Sequence, residues 1–124
     1  MDNFIELACR TESSAFPLDE LTYPNETTDR LLHAAIGLTT EAGEFIDALK
    51  KHLYYGKPLD EVNLKEELGD LLWYIAIAMS ALDTDFPTEQ QRVINKLRVR
   101  FPDKFTNEAA IDRDLSAERE VLEK

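Results

Sequence analysis

Two apolar stripes separated by one short breaker constrain this chain more than any other feature. Leu31, Ala35, Leu38, Ala42, Phe45 and Leu49 step by four and three residues, as do Leu64, Leu68, Leu71, Ile75, Met79 and Leu82. That spacing puts each set on one face of an α-helix and conflicts with the two-residue period of a strand. Gly56-Lys57-Pro58 stands between them, with glycine suited to a left-handed helix end and proline unable to continue the helix. The pattern predicts helices over about 28–55 and 60–82, folded back on each other as an antiparallel hairpin. Leu72, Trp73, Ile77 and Ala78 widen the second stripe. This predicts a helix covered on more than one side, either central or at a subunit interface.

The remaining segments are also helical in pattern. Phe4, Leu7 and Ala8 give one apolar face to a segment over about 2–14, with Asp2 or Asn3 as its N-cap. A loop marked by Pro17 and Pro24 follows. Pro87-Thr88-Glu89 opens a fourth segment, Val93, Ile94, Leu97 and Phe101 line it, and Pro102 stops it. A mixed charged and apolar stretch over 107–124 predicts a short helix packed on the bundle or on a partner. The expectation is a single all-α domain over 1–124, a bundle of four to five helices. Its core spans about 28–106, with a helical tail over 107–124, and oligomerisation completes a four-helix core.

Charge and composition narrow the function. The chain of 124 residues carries 25 acidic against 14 basic side chains, a net charge of −11. Such a surface disfavours nucleic-acid polymers and anionic membranes. The 44% hydrophobic content is enough for a core. Cys9 is the only cysteine, so no internal disulfide forms; it is expected as a small buried or partly buried side chain. No apolar run approaches the length of a membrane span, and Met1-Asp2-Asn3 lacks a basic, apolar leader. The expected location is cytoplasmic.

Two carboxylate pairs carry the chemistry. Glu41 with Glu44, and Glu67 with Asp70, are each spaced i, i+3 inside the two stripes, so each pair aims two carboxylates at one neighbourhood. At 100° per residue Glu41 lies about 40° from Phe45 and Glu44 about 100° away. Both pairs therefore flank the helix seam. Four such groups repel one another unless a cation joins them, and hard divalent ions prefer oxygen ligands. Gly43 and Gly69 sit inside the pairs, where helical glycine costs about 1 kcal/mol relative to alanine. They predict close approach by another backbone or a ligand.

Glu41-Ala42-Gly43-Glu44 followed by Glu67-Leu68-Gly69-Asp70-Leu71-Leu72-Trp73-Tyr74 resembles the MazG-like all-α nucleoside triphosphate pyrophosphohydrolases, whose signature is E-x-x-E and then E-x-x-D. The resemblance extends upstream to Arg30-Leu31-Leu32-His33 and downstream to Asn95-Lys96-Leu97 and Arg100-Phe101-Pro102-Asp103-Lys104-Phe105. It implies that Glu41, Glu44, Glu67 and Asp70 bind Mg²⁺, with Mn²⁺ as a possible substitute. It also implies conversion of a nucleoside triphosphate to monophosphate and pyrophosphate, in a homodimer or homotetramer that cleans the nucleotide pool. Lys96 and Arg100 are i, i+4 neighbours that read from spacing first as a solvated basic face and second as a grip on phosphate oxygens; the resemblance implies that the Asn95-Lys96 and Arg100 pattern contributes to nucleotide binding.

Other residues have plainer readings beside the functional one. Tyr74 lies one turn past Asp70 and is a candidate for sugar or base contact, or else a core aromatic. Trp73 reads as packing. Lys50, Lys51 and Lys57 read first as cations at a helix C-terminus, and second as the rim of a substrate mouth. His33 and His52 lack zinc-ligand spacing, and His33 reads first as a buried polar group and second as a substrate contact. A di-iron bundle would need Glu-x-x-His, which neither pair supplies. The competing non-enzymatic readings are an acidic helical interaction module and a nucleotide binder without turnover.

Overall fold

The structure, a computed structural model, describes residues 3–13 and 25–124. Six helices and no strand occur among them: α1 (Phe4–Cys9), α2 (Asn25–Tyr55), α3 (Glu61–Ala81), α4 (Phe86–Arg100), α5 (Asn107–Ile111) and α6 (Leu115–Leu122). No helix among the described residues is long and apolar enough to cross a membrane. The loop assigned to Pro17 and Pro24, and Asp2 as a cap, lie outside the described residues.

Short polar residues set the helix starts. The side chains of Asn3, Asp60, Asp85, Thr106 and Asp114 each accept a hydrogen bond from a backbone N–H of the first turn of α1, α3, α4, α5 and α6. Each satisfies one of the donors that a helix start leaves orphaned. At the other end of α2, Gly56 takes φ +65°, the left-handed conformation that turns the chain toward α3 without a Cβ penalty. α1 is shorter than its apolar pattern predicted. Cys9 at its end is exposed rather than buried, because no other described element covers this face.

α2 and α3 form the antiparallel hairpin and pack along most of their length. Ala34 and Gly37 are its buried small residues, and Arg30 Nη2 donates to Ser80 Oγ at 2.9 Å where its two ends meet. The second side of α3 is not covered within the single chain, which excludes the central-helix form of the expectation and leaves the subunit-interface form untouched. Leu72 and Trp73 remain 53% and 55% exposed, and Leu68 is similarly open. α4 accounts for this: it packs against α6 rather than across the outer face of α3.

The C-terminal stretch is two helices, not one. α6 is anchored by an acid that lies 97% inside, with 3% of Glu118 exposed. Its carboxylate accepts from Arg100 Nε and Nη2 at 2.8 and 2.9 Å, and from Arg113 Nε and Nη2 at 3.3 and 2.6 Å. These donors hold the Glu118 carboxyl far below the ordinary glutamate value of 4.5. A depressed carboxyl contributes its stability above that ordinary value and loses it as pH falls toward the folded one. Glu118→Gln is therefore expected to lower Tm by on the order of 5 °C at neutral pH. The difference from wild type should close progressively in acid below 4.5. Thermal melts of both proteins across that range check it, and a gap that persists in acid would contradict the assignment.

Candidate metal centre on the helical hairpin

The hairpin brings its acids together at mid-length. One oxygen each from Glu41, Glu67 and Asp70 lies within 4.8 Å of the others. Glu67 sits in the seam at 3% exposure, while Asp70, one turn on, is open and Glu41 is half-buried. Glu67 Oε1 accepts from Asn63 Nδ2 at 2.8 Å, and Glu67 Oε2 is buried with no hydrogen-bond partner among the described residues. An acid oxygen left this way calls for a proton or a cation, because an unpaired buried charge is strongly penalised. Glu44 stands outside the converging three and is exposed.

Electrostatics point the same way. The Glu41 carboxyl is held above the ordinary range by desolvation, then by the hydrogen bond its protonated form can donate to Glu67, then by the charges of Glu44, Asp70 and Glu67. Glu44 is raised first by the charge of Glu67, then by desolvation, the hydrogen bond its own protonated form can donate to Glu67, and the charges of Asp70 and Glu66. The cluster therefore repels itself in the absence of a cation. Its all-oxygen donor set suits a hard divalent ion and does not suit a soft metal. Glu41, Glu67 and Asp70 would hold such an ion, with Glu44 beside them.

Above the acids the seam turns aromatic. Tyr74 lies against Gly37, where an added methyl would overlap its ring. The Tyr74 ring also meets His33 edge-on at 5.8 Å and Trp73 at 4.9 Å. His33 is exposed, so the expectation of a buried histidine is corrected: the ring lies on the outside of the Tyr74 contact. The backbone half of the glycine expectation is corrected. A Cβ at Gly43 or Gly69 would meet no other described protein atom within 4 Å, and the close approach within the chain is at Gly37 instead.

The α4 residues have partners of their own. Arg100 donates through Nε and Nη2 to Glu118. Asn95 Oδ1 accepts from Gln91 Nε2 at 2.8 Å and lines a groove between α4 and α6. Lys96 is half-buried on the same helix. Among the described residues no hydrogen bond or ion pair links these three to Glu41, Glu44, Glu67 or Asp70. The sequence pattern missed Asn63, which lies one turn before Glu67 and orients it. The i, i+4 spacing of the two residues was the available signal.

Fold and site together define an all-helical protein with an acidic centre, built around the buried Glu67, whose donors suit a hard cation. The chain belongs to the MazG nucleotide pyrophosphohydrolase domain family, which it matches over residues 29–105. It is also 34% identical over 93 residues to the Gene 37 protein of Mycobacterium phage L5, covering 66% of this chain and 79% of that protein. No solved structure matches it.

Proposed function

We propose that this protein is a Mg²⁺-dependent nucleoside triphosphate pyrophosphohydrolase acting on the nucleotide pool. The observation that carries this reading is the convergence of Glu41, Glu67 and Asp70 around the unpartnered Glu67 Oε2, within a chain of this family. A water oxygen bonds to the α-phosphorus, and the bond from that phosphorus to the α,β-bridging oxygen breaks. The bridging oxygen leaves with pyrophosphate, so that NTP and water become NMP, pyrophosphate and a proton. Glu41 or Glu44, the two acids whose carboxyls are raised, takes the proton from the attacking water. Bound Mg²⁺ supplies charge neutralisation of the triphosphate and polarisation of the scissile phosphorus. Lys96 and Asn95 are retained as candidate substrate contacts, and Tyr74 as a candidate contact to the nucleoside. Arg100 anchors α6 through Glu118.

Assembly into a homodimer or homotetramer is part of the same reading. It is supported by the open apolar face of α3 at Leu68, Leu72 and Trp73, since adjoining exposed apolar side chains of this size mark interaction surfaces.

The test is incubation with a panel of NTPs and dNTPs and Mg²⁺, resolving NMP, pyrophosphate and phosphate. The expected products are NMP and pyrophosphate in equal amounts; release of phosphate alone would contradict the reaction. Mg²⁺ alone should also raise Tm. At one hundred times its Kd it stabilises the folded chain by about 2.7 kcal/mol. That effect should vanish in Asp70→Asn, which removes one of the three converging acids.

A further inference from the structure

A second cavity opens one turn below the acids, toward the hairpin turn. It encloses about 420 Å³ between Asp47, Ala48 and Lys51 of α2, Lys57 and Pro58 of the turn, and Asp60 and Asn63 of α3. That volume is in the range of small-ligand sites. Asn63 is shared: it lines the cavity and donates to Glu67. Asp47 follows Glu44 by three residues on α2, so the cavity and the acidic centre adjoin along one seam.

The charges of this cavity are already sorted. Asp47 is engaged by Lys51 at 2.6 Å and by Lys50 at 3.6 Å. Asp60 is occupied as the cap of α3, accepting from the Asn63 N–H at 3.0 Å. Lys57 has no carboxylate within ion-pair distance among the described residues. Its backbone is fixed from both sides. The Lys57 N–H donates to the Lys51 carbonyl at 3.2 Å, and His52 Nδ1–H donates to the Lys57 carbonyl at 2.7 Å. The opposite end of the seam carries Tyr74, Trp73 and His33, apolar and aromatic in character.

We propose that the Lys57 and Lys51 cavity receives the two terminal phosphates of the substrate, so that the triphosphate lies along the hairpin with its nucleoside toward Tyr74. The inference rests on the hydrolase reading and gives it a direction. The α-phosphorus sits at the carboxylates, and the leaving pyrophosphate is received by the cations of the turn. Lys57 is the principal contact, because Lys51 is partly neutralised by Asp47. Lysine is a common point-charge binder of phosphate oxygens.

The test compares wild type, Lys57→Ala and Lys57→Arg by titration calorimetry with inorganic pyrophosphate plus Mg²⁺, and separately with a nucleoside monophosphate plus Mg²⁺. Lys57 is exposed on the turn, so the fold is not at risk. Lys57→Ala is expected to weaken pyrophosphate binding about tenfold, the loss of one charge-assisted contact. Monophosphate binding should be unchanged, and Lys57→Arg should recover most of the loss. Unchanged pyrophosphate affinity in Lys57→Ala, an equal loss for the monophosphate, or no pyrophosphate binding by wild type would each overturn the proposal. A Lys57-dependent pyrophosphate site in a protein that turns over no nucleotide would instead sink the hydrolase reading and keep the cavity.

Discussion

Glu67→Gln is expected to reduce kcat/KM by about a thousandfold, roughly 4 kcal/mol of barrier, while leaving the metal-free protein at least as stable as wild type. Glutamine keeps an oxygen for Asn63 Nδ2, the donor that Glu67 Oε1 now accepts from. In place of the unpartnered Glu67 Oε2 it puts an amide N–H, able to donate to Glu41. The substitution thus removes a metal-directed charge from the seam and resolves an electrostatic conflict in the same step. A pH signature accompanies it. Carboxyls held high stabilise a fold when protonated, so metal-free wild type should lose stability as pH rises above the ordinary 4.5 and through the raised values of Glu41 and Glu44. In Glu67→Gln that slope flattens, since the Glu67 charge is the first cause of the Glu44 shift and its hydrogen bond a leading cause for Glu41. Steady-state kinetics with the best substrate, and thermal melts in a chelator from acid to neutral pH, measure both effects. Wild-type turnover by the variant would remove Glu67 from the site.

Gly37→Ala is the second large effect, and it acts on stability. Alanine ordinarily favours a helix over glycine by about 1 kcal/mol, so in an open helix this change would stabilise. Here the new methyl would overlap the Tyr74 ring, which is itself bounded by His33 and Trp73. Overpacking of this kind outweighs propensity and is expected to destabilise the protein by about 2 kcal/mol. The cause can be isolated with a double-mutant cycle. In a Tyr74→Ala background the overlap disappears, and Gly37→Ala should become neutral or stabilising. Denaturant melts of the four proteins check this. Additive losses would show that the ring is not the obstacle.

The hairpin was readable because its apolar steps, breaker and length all agree: a four-and-three rhythm has no strand counterpart, and Gly56 takes the left-handed turn expected of it. The helix starts shifted by a few residues. α2 begins at Asn25, three residues before the stripe implied, since apolar periodicity reports the buried face and not the cap. Within the acidic pairs, spacing could name the four carboxylates but not rank them. Glu67 and Asp70 are identical in pattern, yet one is in the seam and the other open. That difference comes from the crossing of α2 over α3, which no single helix encodes. The same limit applies to Gly43 and Gly69, which no other described backbone approaches, whereas the close contact within the chain lies at Gly37. The ion pair of Arg100 was invisible for another reason. Its partner Glu118 is eighteen positions away and belongs to a segment whose charged pattern gave no sign of an inward-facing acid.

Every acid of the centre, its orienting asparagine and the lysine turn come from one stretch, 41–70, closed by a short connection between α2 and α3. Closing so short a loop carries little chain entropy, and contacts this local form early in folding. The centre can then assemble before α4 and α6 dock, and with it comes the mutual repulsion of its acids. Under the proposed metal-dependent reading, a divalent ion present at that moment would act on the nascent hairpin as well as on the folded chain, offsetting that repulsion as the hairpin forms.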